Sequence, residues 1–219
     1  MKKILAFNGS PRTSGNSTCM LQHFMEGARQ NTTSLDEVRT NDLNLKNCQG
    51  CLRCNILRRC SISEDEWPEL SRKIIESDIL VLATPIYFHH LPASLKKVID
   101  RFRSFVHVQI TETGLIHTPW EKWNKDFVLL LSMGSPDEAD AKPVIELFEF
   151  MTSILGKGNR LQVITAKRLA MAKQIIQSRE VLENLYAKLQ LPVNLAGIDH
   201  QANLQTLEDC YRMGVGLSG

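Results

Sequence analysis

Two uninterrupted apolar runs, DILVLA at 78–83 and FVLLLSM at 127–133, constrain the fold of this chain more than any other feature. Apolar runs without polar alternation are typical of strands that are covered on both faces in the middle of a parallel sheet. Shorter runs at 3–7 and 161–166, and a weaker alternating segment at 35–45, predict three more strands, the last at an edge. Helical patterns separate the five strands. This alternation predicts an α/β fold, with a doubly wound five-stranded parallel sheet and helices on both faces.

The spacing of apolar residues predicts the helices between these strands. They are expected at 16–29, 67–77, 91–102, 137–155 and 170–191. We interpret the 219 residues as a single domain, 1–219, with a cysteine-rich loop at 48–60 and an insertion at about 106–125.

Two segments fall outside this alternation. The insertion carries Gly114, Pro119, Trp120 and Trp123, and we interpret it either as a lid or contact surface or as a self-packed surface loop. The residues after Pro192 are expected to form a loosely packed tail that could dock on a neighbouring subunit.

Charge and hydropathy exclude some classes of function. Lys and Arg (26) nearly balance Asp and Glu (24), which argues against a nucleic-acid partner. The opening MKKILAF is too short for the core of a secretory signal, and no run approaches the about 18 apolar residues of a membrane span. We therefore expect a cytoplasmic protein without a membrane partner.

The loop from Gly9 to Thr18 (GSPRTSGNST) has the composition of an anion site. It joins the first strand to the first helix, where unpaired backbone N–H groups and the helix dipole favour a phosphate. The nucleoside-triphosphate loop requires a lysine where this chain has Asn16, and the dinucleotide fingerprint GxGxxG is absent from the sequence. The remaining candidate ligand is a monophosphate ester such as the phosphate end of FMN, bound at the first turn of a flavodoxin-like sheet. The alternative is an ordinary capped loop with Ser14 or Asn16 as N-cap.

A second turn follows the carboxyl end of the central strand, where sheets of this class bind ligands. Its sequence TPIYFHH (84–90) offers Tyr87 and Phe88 as flat surfaces for a planar ring, although both could merely cover the end of the core. By position after the fourth strand, Met133 and Gly134 are also expected to approach the ligand.

Four cysteines lie close together in the remaining loop: Cys48, Cys51, Cys54 and Cys60. In a reducing cytosol such clustering argues for metal or redox chemistry rather than disulfides. Consecutive gaps of two residues favour a cubane iron–sulfur cluster over zinc, which usually takes two separated CxxC pairs. Zinc and metal-free thiols remain as alternatives. The isolated Cys19 and Cys210 are expected to be buried or incidental thiols.

Four segments follow one another along the chain: GSPRTSGNST (9–18), the cysteine run, ATPIYF (83–88) and SLKKVIDRF (94–102). In these segments and in their order, the chain resembles the iron–sulfur flavoprotein branch of the flavodoxin-like NADPH-dependent FMN reductase superfamily. The resemblance implies that the phosphate of FMN is held by Ser10, Arg12, Asn16, Ser17 and Thr18. It implies that the isoalloxazine ring is lined by Pro85, Ile86, Tyr87 and Phe88. It also implies that the four clustered cysteines bind a [4Fe-4S] cluster.

The expected function is an FMN-dependent oxidoreductase that takes electrons from NAD(P)H or a reduced carrier and passes them through a cluster lying near the flavin. No side chain is assigned as a catalytic acid or base. The alternatives are a non-enzymatic electron carrier or redox sensor, and a cluster-free NAD(P)H:FMN or quinone reductase. The expected partners are a small-molecule or ferredoxin-type electron donor or acceptor, and a second subunit in a homodimer or homotetramer.

Overall fold

The computed structural model describes residues 1–32 and 34–219. The strands are Ile4–Asn8 (β1), Leu35–Arg39 (β2), Ile79–Pro85 (β3), Val106–Thr111 (β4), Gly114–Pro119 (β5), Asp126–Ser132 (β6) and Arg160–Ala166 (β7). The α-helices are Asn16–Ala28 (α1), Cys54–Leu57 (α2), Trp67–Glu76 (α3), Ala93–Arg101 (α4), Lys142–Leu155 (α5), Arg179–Lys188 (α6) and Leu195–Ser218 (α7). Short 3-10 helices occur at Phe102–Phe105, Glu138–Ala141 and Gln174–Ile176.

The central sheet has the order β2-β1-β3-β6-β7, and every pair of neighbours is parallel. The predicted doubly wound α/β fold is therefore confirmed. The inner strands β1 and β6 are buried along their whole length, whereas β2 at the edge is partly exposed. All carboxyl ends of the parallel strands meet at one edge, so the loops that follow β1, β3, β6 and β7 can share a ligand site there.

Alternate residues of each strand face opposite sides of the sheet, and two separate cores result. Leu5 and Phe7 of β1 belong to the core beneath α3, α4 and α5. Ile4 and Ala6 belong to the core beneath α1 and α7. The continuous apolar runs of the sequence follow from this two-sided burial.

The insertion at 106–125 is not an irregular loop. Its first part forms an antiparallel hairpin of β4 and β5, which is separate from the central sheet. Its last part returns to the core, where the buried Trp123 stacks on Phe127 at a centroid distance of 6.2 Å. The hairpin escaped prediction because β4 is only partly buried, β5 is largely exposed, and polar residues interrupt both strands, so neither shows an apolar run.

The helix predicted at 170–191 is wrong in its first half. Residues 170–178 form a loop that contains one 3-10 turn, and α6 begins only at Arg179, where the Ser178 side chain accepts a hydrogen bond from the backbone of Val181. The loop is held open because the side chain of Asn16 bonds to the backbone of Met171 and of Ile175. These long-range bonds replace the local bonds of a helix.

The C-terminal tail is also different from the prediction, because it forms the long helix α7 and packs on α1. The two helices approach so closely that a Cβ on Gly27 would overlap the Tyr211 carbonyl, and one on Gly214 would overlap the Phe24 carbonyl. The buried face of α7 consists mostly of small or polar residues, which is why it lacked an apolar pattern. Neither α7 nor any other helix in the described ranges is both long and apolar enough to span a bilayer.

Candidate functional site

A cavity of about 210 Å³ opens at the carboxyl ends of β1, β3, β6 and β7. Most of the predicted cofactor residues line it: Ser10, Arg12, Asn16, Ser17, Pro85, Ile86, Tyr87, Met133 and Gly134. We call it the flavin cavity. The structure thus brings the two turns singled out in the sequence together in one site.

The first turn of α1 forms the anion-binding end of this cavity. The N-cap residue is Gly15, and no side chain in the described part of the chain caps the helix. Ser17 lines the cavity, and its hydroxyl is buried and has no hydrogen-bond partner among the described residues. A buried polar group without a partner is costly, and a phosphate oxygen would satisfy this hydroxyl together with the free N–H groups of the helix. The residues at this end of the cavity therefore fit the phosphate of FMN.

Ser10 and Gly15 shape the same turn. The Ser10 hydroxyl donates to the carbonyl of Arg12 at 3.0 Å and accepts from the Arg12 N–H at 3.1 Å. It lies so close to Gly15 that a Cβ at this position would overlap its oxygen. Glycine is therefore needed at position 15 to keep the turn narrow.

Two of the predicted ligands, Thr18 and Phe88, do not line the cavity, and a third, Asn16, lines it with an amide that bonds elsewhere. The Asn16 amide donates to the Met171 carbonyl at 2.8 Å, so its N–H group is engaged with a loop. Thr18 does not line the cavity, and its hydroxyl donates to Asn8 Oδ1 at 3.2 Å. Phe88 is fully exposed and likewise lies outside the cavity lining. Asn16 and Thr18 support the turn that carries Ser10 and Ser17.

The second turn is a tight reversal at the cavity mouth. Tyr87 and His90 exchange backbone hydrogen bonds at 2.9 and 3.0 Å, while Phe88 (φ 48°) and His89 (φ 61°) adopt left-handed conformations. Two such non-glycine residues in succession are strained, and strain of this kind is concentrated at functional sites. The turn fixes Tyr87, which is partly exposed, beside Pro85 and Ile86 at the cavity.

Three of the lining residues were not singled out from the sequence: Ser132, Leu169 and Ala170. A fourth, Gly15, lies within the predicted anion loop but was not assigned as a ligand. Leu169 and Ala170 follow β7 and form a third wall. Only their position after the last parallel strand could have indicated them.

The four clustered cysteines line a second cavity, of about 200 Å³. Arg101 holds both ends of this loop, because its guanidinium donates to the carbonyl of Lys46 at 2.9 Å and of Ile62 at 3.1 Å. It also forms an ion pair with Asp65 at 2.8 Å, in which both side chains are fully buried. The cysteine loop is therefore closed by a single buried arginine.

The two cavities lie at opposite ends of α4. Asn41 donates to the carbonyl of the cavity residue Ser10 at 3.0 Å, and the hydroxyl of the preceding Thr40 is 3.0 Å from that of Ser94 in the first turn of α4. The chain then follows the helix, with Lys97 bonded to the Leu45 carbonyl at 3.4 Å, and reaches the cysteine cavity at Arg101. A helix of 9 residues is about 13 Å long. The segment before Cys48 thus leads from the flavin cavity along α4, and the proximity of cluster and flavin stays a prediction.

Residues 2–173 match the family model described as NADPH-dependent FMN reductase. The chain belongs to this family. An iron–sulfur flavoprotein of Archaeoglobus fulgidus is 29% identical over 136 residues, which are 62% of this chain and 58% of that protein. Another, of Methanocaldococcus jannaschii, is 31% identical over 101 residues, or 46% and 52% of the two chains. These matches confirm the predicted resemblance. This FMN reductase family member spans little more than half the length of either relative.

Solved structures agree with the fold. An FMN-dependent NADH-azoreductase from Bacillus anthracis, in complex with FMN, superimposes with a TM-score of 0.65 at 13% identity. The match covers 99% of this chain and 100% of the azoreductase. At this identity the likeness concerns the flavodoxin-like architecture alone.

In this FMN reductase family member the cysteine thiols have unequal environments. A hydrogen bond with Ser61, at 3.5 Å, lowers the pKa of the exposed Cys51. Burial raises the pKa of Cys54, and the charge of Arg103 partly offsets that effect. In the part of the chain that the structure describes, no three His, Cys, Asp or Glu side chains converge as a metal-ion site. The four thiols on one cavity nevertheless provide the donor set that a [4Fe-4S] cluster requires.

Proposed function

We propose that this protein is an FMN-dependent oxidoreductase that holds FMN in the flavin cavity. The observation that carries the proposal is the buried hydroxyl of Ser17 at the start of α1, for which residues 1–32 and 34–219 provide neither a hydrogen-bond partner nor a side-chain cap of the helix. Such a hydroxyl, beside free backbone N–H groups, has the chemistry of a phosphate site. Ser10 and Arg12 lie in the same lining and add a hydroxyl and a positive charge. Membership of the FMN reductase family supports the choice of FMN over other phosphate esters.

The residues of the second turn have a different role in this proposal. Pro85, Ile86 and Tyr87 would cover the isoalloxazine ring, with Met133 and Gly134 along its edge. Bound FMN would supply hydride and electron transfer between NAD(P)H, or a reduced carrier, and an acceptor. The chain itself binds and orients the cofactor and excludes water from one of its faces. We assign no side chain as a general acid or base.

We further propose that Cys48, Cys51, Cys54 and Cys60 hold a [4Fe-4S] cluster that exchanges electrons with a ferredoxin-type or small-molecule partner. Their common cavity and the two gaps of two residues support a cubane cluster. The names of the curated relatives point in the same direction. A homodimer or homotetramer is proposed as well, in which a second subunit would cover the exposed part of Tyr87 at the flavin cavity.

The experiment is anaerobic purification, followed by FMN titration of the apoprotein and by analysis of iron and acid-labile sulfide. We expect one FMN per chain, about four irons and four sulfides, and reduction of the bound flavin by NADH or NADPH. Cys54→Ala should lose the iron and keep the flavin. Absence of FMN binding in either redox state would refute the flavin proposal. Zinc in place of iron, or metal-free thiols, would refute the cluster alone. Sedimentation analysis measures the proposed oligomer.

A further inference from the structure

Residues 168–175, which we call the strap, cross the flavin cavity after β7 and bind the phosphate turn on one side. Arg12 donates to the carbonyl of Ala170 at 3.1 Å, and the Lys173 N–H donates to the carbonyl of Ser14 at 3.1 Å. Asn16 bonds to the strap at both Met171 and Ile175. Because Leu169 and Ala170 also line the cavity, the position of the strap determines both a wall of the site and the position of Arg12.

The other side of the strap is held by the two C-terminal helices. Arg168 Nε donates to both carboxylate oxygens of Asp199 in α7, at 2.7 and 2.8 Å. The hydroxyl of Tyr186 in α6 donates to Asp199 Oδ2 at 2.6 Å. Both Tyr186 and Asp199 are buried. Gln174 completes the connection within the strap, since its amide donates to the Arg168 carbonyl at 2.7 Å.

Arg168 has a φ of 54°, a conformation that a non-glycine residue keeps only when its surroundings enforce it. The ion pair with the buried Asp199 supplies such a constraint. Without the carboxylate, the guanidinium has no counter-charge, and the strained residue can relax. The movement would shift Leu169 and Ala170, which follow directly. Both Tyr186 and Asp199 lie beyond residue 173, where the match to the family ends.

We propose that Asp199, acting through Arg168 and together with Tyr186, is a positioning residue for the flavin cavity. It holds the strap so that the Ala170 carbonyl fixes Arg12 at the phosphate end. The C-terminal helices, although distant in sequence from the phosphate turn, thereby determine the affinity for the cofactor. This inference rests on the proposed binding of FMN in that cavity.

The test compares Asp199→Asn with Asp126→Asn. The control removes a similar two-bond ion pair, in which Arg160 contacts a buried Asp126 at 2.7 and 2.8 Å, at the opposite end of the strands. For Asp199→Asn we expect the Kd of FMN to rise about tenfold, the equivalent of one charged hydrogen bond. The Kd of riboflavin, which lacks the phosphate, should change less. Asp126→Asn should leave both values within about twofold.

Amide hydrogen exchange of the apoprotein provides a readout that needs no flavin. Exchange at residues 169–175 should accelerate in Asp199→Asn and stay unchanged in Asp126→Asn. Should Asp199→Asn fail to fold, Tyr186→Phe removes one hydrogen bond to Asp199 and keeps the ion pair, and it should raise the Kd of FMN by a few-fold.

Equal FMN affinities and equal exchange in the two Asn variants would overturn the inference while leaving the proposed function intact. A wild-type protein that does not bind FMN would instead refute the proposed function. In that case the exchange data would still show whether Asp199 holds the strap.

Discussion

The guanidinium of Arg103 donates a hydrogen bond to the sulfur of Cys54, with 3.5 Å between Nη1 and Sγ. The same side chain donates to the Val106 carbonyl at 2.8 Å and to Asn55 Oδ1 at 2.9 Å. Asn55 in turn bonds to both backbone groups of Val108 in β4. Arg103 therefore joins the cysteine loop to the hairpin and keeps a positive charge beside one thiol.

The first prediction concerns this contact. Hydrogen bonds to the sulfurs of a cluster and nearby positive charge both raise its reduction potential. We expect Arg103→Gln to lower the midpoint potential of the proposed cluster by about 60 mV, which corresponds to about 1.4 kcal/mol for one electron. An anaerobic titration monitored by electron paramagnetic resonance measures it. Arg58→Gln is the control, since Arg58 lies over the Trp120 ring at 5.4 Å. Equal shifts in both variants would mean that net charge alone matters.

A second prediction isolates the phosphate site. Ser17→Ala removes a hydroxyl that has no partner in the described chain, so the stability of the apoprotein should not fall. The Kd of FMN should rise about 10- to 100-fold, because a hydrogen bond to a charged group contributes about 1.5–3 kcal/mol. Fluorescence titration measures the Kd, and urea unfolding measures the stability.

Ser77→Ala is the matched control for Ser17→Ala. Ser77 is equally buried, but its hydroxyl donates to the Ile74 carbonyl at 2.9 Å and lies far from the cavity. This variant should lose about 1 kcal/mol of stability and keep its FMN affinity. The assignment of Ser17 would be contradicted if Ser17→Ala lost stability and kept its FMN affinity while Ser77→Ala kept its stability and lost affinity.

Asp65→Asn tests the buried ion pair that closes the cysteine loop. Desolvation alone would raise the pKa of Asp65, but hydrogen bonds from Arg101 and from backbone N–H groups outweigh it and lower that pKa. Stability from the pair is thus complete above the unfolded pKa of about 3.9 and is lost as pH falls through the lower folded value. We expect Asp65→Asn to cost about 3–5 kcal/mol at pH 7 in urea unfolding, because Arg101 then remains buried without its counter-charge.

Glu64→Gln serves as the control for Asp65→Asn. Glu64 is adjacent in sequence but pairs with Lys46 on the surface, at 2.7 Å. Exposed pairs contribute little, so this variant should leave the free energy of unfolding close to that of the wild type. A similar cost in both variants would show that the loop needs negative charge rather than the buried pair.

The fourth prediction concerns alkaline pH. Burial, followed by the hydrogen bond to Asp199, raises the pKa of Tyr186 to about 12. Because an unfolded tyrosine has a pKa of about 10, its contribution to stability is complete below pH 10 and is lost as pH rises to about 12. The free energy of unfolding of the wild type, measured in urea, should therefore fall more steeply across this pH interval than that of Tyr186→Phe. Parallel profiles would contradict a neutral, buried Tyr186.

Features that depend on local pattern were predictable. The apolar runs at 78–83 and 127–133 became the central strands β3 and β6, since burial on both faces leaves a direct trace in composition. The phosphate turn was visible because its glycines, hydroxyls and helix start are contiguous. The role of each residue in binding FMN stays a prediction.

Features that depend on distant partners were not predictable. The strap is held by Asn16 on one side and by Asp199 on the other, about 150 and 30 residues away, and no periodicity encodes such bonds. The separation of the cysteine cavity from the flavin cavity depends on the course of residues 40–48 along α4, a stretch without regular structure. The spacing of the cysteines identified the thiols as one set, but it did not indicate at which end of α4 they lie.

The close approach of α1 and α7 at Gly27 and Gly214 has an evolutionary consequence. A side chain at either position would overlap the backbone of the opposite helix and separate α7 from α1, the helix whose first turn forms the phosphate end of the flavin cavity. Neither glycine can therefore be replaced on its own while α7 remains packed on α1. Where homologous chains retain both, the C-terminal helix should occupy this same groove, even after its remaining residues have diverged. The pair is a marker of shared architecture that overall identity would miss.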